Sequence, residues 1–140
     1  MHAHLATSGA KVPFVCLAIV LLLPYLLATY GGYYRKKTLG KMDNHNPRAQ
    51  AARLDAYGAR IYAAQQNSWE AATLFTAAAL AAAVTGVSSG NTSLPCLLFV
   101  ALRVVHPIAY LNGWSSLRST VSTAGLACCA WLLVSAAIAA

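Results

Sequence analysis

The sequence predicts an all-α integral membrane protein folded as a bundle of four transmembrane helices. Hydrophobic residues make up 59% of the 140-residue chain and charged residues only 9%, whereas a soluble domain carries about 25% charged residues. Because so few charges are available to solvate a surface, we expect a single membrane domain over residues 1–140.

Four apolar stretches supply the predicted spans. The first covers about residues 12–34, with Pro24 as an expected kink. The second covers about 71–87, after a helical approach that starts at Pro47, where Asn46 would be the cap. The third and fourth cover about 94–111 and 119–140. Each stretch approaches the roughly 20 residues that cross a bilayer core.

Basic residues are concentrated in the first loop. The net charge is +7, and seven of the ten basic residues lie between Arg35 and Arg60. This position is typical of a cytoplasmic flank and not of a groove for nucleic acid. The second loop has no basic residue, and the third is closed by Arg118. The positive-inside rule therefore predicts that loops one and three are cytoplasmic and that both termini lie outside the cytoplasm.

The third span carries an unusual polar face. At about 100° per residue, His106 lies about 60° and Tyr110 about 20° from Arg103, so the three share one side of a helix. A charge within a membrane span usually faces the bundle interior or a wet cavity. We therefore expect a functional site on this face, toward the cytosolic end of the span.

Two other helices bring polar groups to the same end. Asn67 and Glu70 lie where the second helix becomes apolar, and Arg118 and Ser119 open the fourth. Guanidinium groups match carboxylates, and Glu70 could receive an ammonium group, so an anionic, peptide-like ligand is expected. A thiol close to Arg118 would be favoured as its reactive thiolate.

The polar approach to this end is predicted to be helical. Arg53, Arg60 and Asn67 recur every seven residues, a spacing that places them on one stripe leading inward. The alternative for the two arginines is that they simply face the cytosol.

The other site residues also have structural explanations. Arg103 and Glu70 could form only a buried ion pair, and His106 could be purely structural. Tyr110 could be an interfacial aromatic anchor, and residues 35–37 could be a plain basic flank that fixes topology.

The cysteines point to packing and not to chemistry. Cys16, Cys96, Cys128 and Cys129 all lie in predicted spans and lack metal-ligand spacing. We therefore expect small buried hydrophobes, with neither a disulfide framework nor a metal site.

Two motifs carry a resemblance to a known family. The first lies on the third and fourth spans and consists of Arg103-Val104-Val105-His106, Ala109-Tyr110-Leu111 and Leu117-Arg118-Ser119. The second lies at the start of the second span and consists of Asn67-Ser68-Trp69-Glu70, preceded by Asn46-Pro47-Arg48-Ala49. Together they resemble the membrane-associated proteins in eicosanoid and glutathione metabolism, the MAPEG family. The resemblance covers roughly residues 35–123, and the four-span count extends it to the whole chain.

The resemblance implies a homotrimer of four-helix protomers that binds glutathione at protomer interfaces near the cytosolic side. The partners implied are glutathione, a lipophilic electrophile or lipid hydroperoxide, and membrane lipid. Arg118 matches the arginine that activates the thiol, and Ser119 is the serine beside it. The implied glutathione ligands are Asn67, Glu70, Arg103, His106, Tyr110 and Arg118.

Departures from the family pattern narrow the expected activity. Gln66 and Ser122 stand where the prostaglandin-forming members have an arginine and a tyrosine, so a general glutathione transferase or peroxidase is expected. In this hypothesis an Arg103–Glu70 ion pair organises the pocket. The alternatives are a non-catalytic lipid-binding scaffold and a small proton-coupled transporter with Glu70 and His106 as the relay.

Overall fold

The computed structural model describes residues 11–140, in which all regular secondary structure is helical. The elements are α1 (Lys11–Leu39), α2 (Pro47–Ala51), α3 (Ala56–Val84), α4 (Ser89–Leu111) and α5 (Ser115–Ala139). The all-α prediction is confirmed for these residues. The first ten residues of the predicted domain, with the N-terminus, lie outside the described part.

Three of these helices, α1, α4 and α5, are long and apolar enough to cross a membrane. α1 continues unbroken past Pro24, which is buried. α3 is as long as α1, at 29 residues, but Gln66, Asn67 and Glu70 lie near its middle, so its apolar part is short. The chain is therefore a multi-pass helical membrane protein, and the fourth span stays a prediction.

The helical approach to α3 is divided in two, whereas one long approach from Pro47 was expected. Residues 52–55 form a turn between α2 and α3. Asp55 begins α3 as its N-cap, because its side chain accepts a 2.8 Å hydrogen bond from the backbone N–H of Gly58. Pro47 begins α2 and Asn46 precedes it as expected, although the Asn46 side chain makes no capping bond.

The interruption also shortens the predicted polar stripe. Arg53 lies in the turn, outside any helix, and is exposed. A seven-residue helical repeat therefore relates only Arg60 and Asn67, and the prediction was wrong for Arg53. The physical reason is that Asp55 caps a new helix after the turn, so Arg53 is not part of the helix that contains Arg60 and Asn67.

α3 packs against α1, α4 and α5. Its inner side is lined by small residues, of which Ala72, Ala78 and Ala82 are buried. Small side chains allow neighbouring helices to approach closely. Phe75 of α3 stacks on Phe99 of α4 with ring centroids 4.4 Å apart. This packing fixes α3 and α4 side by side and so sets the positions of their polar residues.

Candidate functional site

The polar face of α4 points into the bundle. Arg103 and His106 are 4% and 1% exposed, and Tyr110 is half-buried. The opposite side of the helix is apolar and exposed, at Val104, Val105 and Ile108. The predicted division of this helix into a polar inner face and an apolar outer face is confirmed.

Arg103 is held by Asn67 of α3. The Nη2 atom of Arg103 donates a 2.6 Å hydrogen bond to Oδ1 of Asn67. A buried guanidinium needs such partners, since an unpaired charge in a bundle interior is costly. The bond joins two residues that are 36 positions apart in the chain, and it fixes Arg103 against α3.

Glu70 does not pair with Arg103, so the predicted ion pair is wrong. Glu70 is exposed, and its Oε1 accepts a 3.2 Å hydrogen bond from Nε2 of Gln66. Gln66 and Glu70 are four residues apart and therefore lie on one face of α3. Glu70 follows Asn67 by three residues, which places it about 60° away from Asn67 around the helix axis. The rotation leaves Glu70 on the outer surface of this protomer.

His106, Tyr110 and Arg118 form a second group at the same site. The rings of His106 and Tyr110 lie one helical turn apart, with centroids separated by 5.6 Å. Cζ of Arg118 lies 4.5 Å from the centroid of the Tyr110 ring, which is cation–π geometry. Arg103 lies three residues before His106 on the same side of α4. The buried Nδ1 atom of His106 has no hydrogen-bond partner among residues 11–140.

The turn between α4 and α5 brings Arg118 to Tyr110. Gly113 has a φ of 71°, a backbone angle that residues other than glycine rarely adopt. The backbone N–H of Trp114 donates a 2.9 Å bond to the carbonyl of Ala109, and that of Arg118 a 2.9 Å bond to the carbonyl of Trp114. These bonds return the chain directly onto α4 and place the first turn of α5 beside Tyr110.

The structure thus brings five predicted residues together and leaves two at the surface. The five are Asn67, Arg103, His106, Tyr110 and Arg118. Glu70 is exposed on α3, and Ser119 is exposed next to Arg118 on α5. The grouped residues present two guanidinium groups, one of them half-buried, which can bind carboxylates or stabilise a thiolate.

Arg35 is buried, so the interpretation of residues 35–37 as a plain basic flank does not hold for this residue. It is 5% exposed, and its Nη1 donates a 2.8 Å hydrogen bond to the carbonyl of Pro47. Lys36 and Lys37, by contrast, are exposed. The spacing in the sequence could have indicated this burial, because Arg35 lies four residues after Gly31 and therefore on the same, buried side of α1.

Two carboxylates bind backbone N–H groups between α1 and α3, one in the loop that follows α1 and one at the start of α3. Oδ1 of Asp43 accepts bonds of 2.9 and 3.0 Å from the backbone N–H groups of His45 and Asn46. These bonds lower the pKa of Asp43 below its usual value, and the bond from the backbone N–H of Asn46 has the largest effect. The pKa of Asp55 is also lowered, first by the backbone N–H of Gly58. Both groups therefore stay ionised at neutral pH.

The cysteines are packing residues. All four, Cys16, Cys96, Cys128 and Cys129, are buried and free. Among residues 11–140, no group of three or more His, Cys, Asp or Glu side chains could hold a metal ion.

Comparison with known proteins gives one match. The model of the MAPEG family matches residues 12–138, nearly the whole chain. No curated protein and no solved structure gives a significant match.

Proposed function

Because the chain belongs to the MAPEG family, we propose that it is a membrane-bound glutathione transferase that acts on lipophilic electrophiles and reduces lipid hydroperoxides. The observation that carries the proposal is the position of Arg118, whose guanidinium lies over the ring of Tyr110, which in turn lies next to the buried His106. The donor set fits glutathione, since two guanidinium groups and an amide can bind its carboxylates and its thiol.

Arg118 has the central chemical role in this proposal. Its positive charge favours the thiolate form of glutathione, and the hydroxyl of the neighbouring Ser119 donates a hydrogen bond to the same sulfur. Glutathione supplies the nucleophilic sulfur, which forms a bond to the electrophilic carbon while the leaving group departs with its electron pair. Hydroperoxide reduction consumes two glutathione molecules and yields their disulfide, an alcohol and water.

The remaining residues position the tripeptide. Arg103 is held by Asn67, and His106 lies next to Tyr110 with an Nδ1 atom that has no partner within the described residues. These groups fix the backbone and carboxylates of glutathione, so that its thiol reaches Arg118. Fixed partners reduce the entropic cost of bringing the reacting atoms together.

α3 is the fourth span in our proposal, and the assembly is a homotrimer. Glu70 is exposed on a long helix that packs against all three recognised spans. A carboxylate on the outside of a spanning helix would be costly in lipid, so a second copy covers it and brings it to the shared glutathione site. Both termini then lie outside the cytoplasm, and the site faces the cytosol.

The test compares Arg118→Ala with Arg53→Ala, which removes an exposed arginine outside the helices. Purified protein is mixed with glutathione, and the thiolate absorbance and the conjugation of an aryl halide are measured. We expect wild type and Arg53→Ala to show both signals. Arg118→Ala should lose the thiolate signal and at least about 100-fold in turnover, the usual cost of removing one charge-stabilising donor.

Two results would contradict the proposal. Unchanged turnover in Arg118→Ala would show that another group stabilises the thiolate. A wild-type protein that binds no glutathione would favour the lipid-binding scaffold, because the family resemblance would then extend to the fold but not to the chemistry.

A further inference from the structure

A second basic site lies at the end of the bundle that carries the basic loop. A cavity of about 360 Å³ opens between the last turns of α1, the short helix α2 and the first turns of α3. Its polar lining comes from Arg35 and Arg48, and its apolar lining from Pro47, Tyr62 and three alanines. None of these side chains belongs to the proposed glutathione site.

Within residues 11–140, no carboxylate forms an ion pair with Arg35. Arg35 is only 5% exposed. Its only hydrogen bond in the described residues is the one that Nη1 donates to the carbonyl of Pro47. Its Nε atom is buried and has no hydrogen-bond partner in the described part of the chain. The nearby Asp43 uses Oδ1 to bind backbone N–H groups. A buried cation in this state attracts an anionic ligand.

Arg48 adds a second positive charge to the same cavity. It is exposed, on the first turn of α2, so its side chain can reach a ligand without rearrangement of the bundle. Two arginines on one cavity match the several acceptor oxygens of a phosphate or carboxylate group.

The rest of the cavity is apolar and lies at the membrane boundary. Ala51, Ala52 and Ala59 line it together with Pro47 and Tyr62. The 29 residues of α1 extend about 44 Å at 1.5 Å per residue, which exceeds the hydrocarbon core of about 30 Å. The end of α1 near Arg35 therefore reaches the depth of the lipid headgroups. Tyr62 lies next to Gly31, one helical turn deeper than Arg35, so the apolar lining continues from the headgroup depth toward the region of the acyl chains.

We propose that this cavity binds an anionic phospholipid, with the phosphate at Arg35 and Arg48 and the start of an acyl chain along the alanines. The proposal does not depend on the glutathione chemistry proposed above. Inorganic phosphate shares the headgroup chemistry, but it would leave the apolar wall unused.

The experiment measures the thermal unfolding of the purified full chain in detergent. Phosphatidic acid is compared with phosphatidylcholine of the same chains and with inorganic phosphate. We expect phosphatidic acid to raise the Tm saturably and the other two to have little effect. Arg48→Gln and Ala59→Phe, which respectively remove charge and fill the cavity, should each weaken the apparent affinity about tenfold.

Lys36→Gln is the matched control, because Lys36 is an exposed neighbour of Arg35 that does not line the cavity. It should behave like wild type. Arg35→Gln is less informative alone, since it also removes the bond to Pro47.

Three outcomes would overturn the proposal. An equal affinity loss in Lys36→Gln would indicate diffuse attraction to the basic loop. Equal stabilisation by inorganic phosphate would indicate a free-anion site. A weakened glutathione affinity in Arg48→Gln or Ala59→Phe would make the cavity part of the glutathione site.

Discussion

The side chain of Arg118 packs on the aromatic ring of Tyr110. Its guanidinium carbon lies 4.5 Å from the centroid of Tyr110, and Tyr110 in turn lies against the buried His106. A long arginine side chain has many rotamers, and a cation–π contact favours one of them. Tyr110 is thus a positioning residue for the group on which the proposed chemistry depends.

Substitution of Tyr110 tests this role. Tyr110→Phe keeps the ring, so the conjugation rate should stay within about twofold of wild type, whereas Tyr110→Leu should lower kcat/KM about 3- to 30-fold. The measurement is kcat/KM for an aryl halide, together with the thiolate absorbance of bound glutathione. If Tyr110→Phe loses as much as Tyr110→Leu, the hydroxyl group and not the ring is required.

At the scale of the helix, the start of α3 depends on a charged cap. Asp55 accepts the Gly58 N–H bond at 2.8 Å, and both of its oxygens accept from the Tyr34 hydroxyl, at 2.9 and 3.1 Å. The cap therefore begins α3 and also ties it to α1. The rings of Tyr34 and Tyr57, with centroids 5.3 Å apart, add to the same junction.

This cap predicts an acid-sensitive junction. The folded-state pKa of Asp55 is lowered, mainly by the Gly58 N–H and then by Tyr34. Its contribution is therefore present above the unfolded-state pKa of about 3.9 and is lost as pH falls through the folded-state value. We expect the Tm in detergent to fall between about pH 5 and about pH 2, and the fall to be smaller in Asp55→Ala.

Asp43→Asn is the comparison variant, because the pKa of Asp43 is lowered by a different set of bonds, within its own loop. It should change the acid response without loosening the contact between α1 and α3. An acid response of Asp55→Ala identical to that of wild type would show that the cap does not contribute to the pH dependence.

For the whole molecule, the distribution of charge predicts the orientation in the membrane. The loop from Gly40 to Asn46 follows the basic end of α1, whereas residues 85–88 between α3 and α4 carry no charge. If α3 crosses the membrane, these two segments lie on opposite sides, with the basic one in the cytoplasm.

Cysteine labelling tests this orientation directly. The native cysteines are buried, so an impermeant maleimide should react selectively with an introduced, exposed cysteine. We expect Asn44→Cys to be labelled only from the cytoplasmic side and Ser89→Cys only from the other. Labelling of both from one side would mean that α3 does not span and that the protein has three crossings.

Sequence patterns were sufficient to predict the class of the protein, its long apolar helices and the polar face of α4. Low charge content, long apolar runs and the 3.6-residue period are local properties, so they can be read without a partner helix. Arg103 and His106 were predicted to face inward for this reason, and they do. The family resemblance came from the same local motifs and is confirmed by the match over residues 12–138.

Which polar groups contact each other depended on the packing of the helices. Arg103 could pair with Asn67 or Glu70, which are three residues apart, and the rotation of α3 about its axis selected Asn67. The same applies to Arg35, whose burial depends on the fold of the loop that brings Pro47 back to it. Sequence spacing fixes the face of a helix, but the packing of neighbouring helices fixes where that face points.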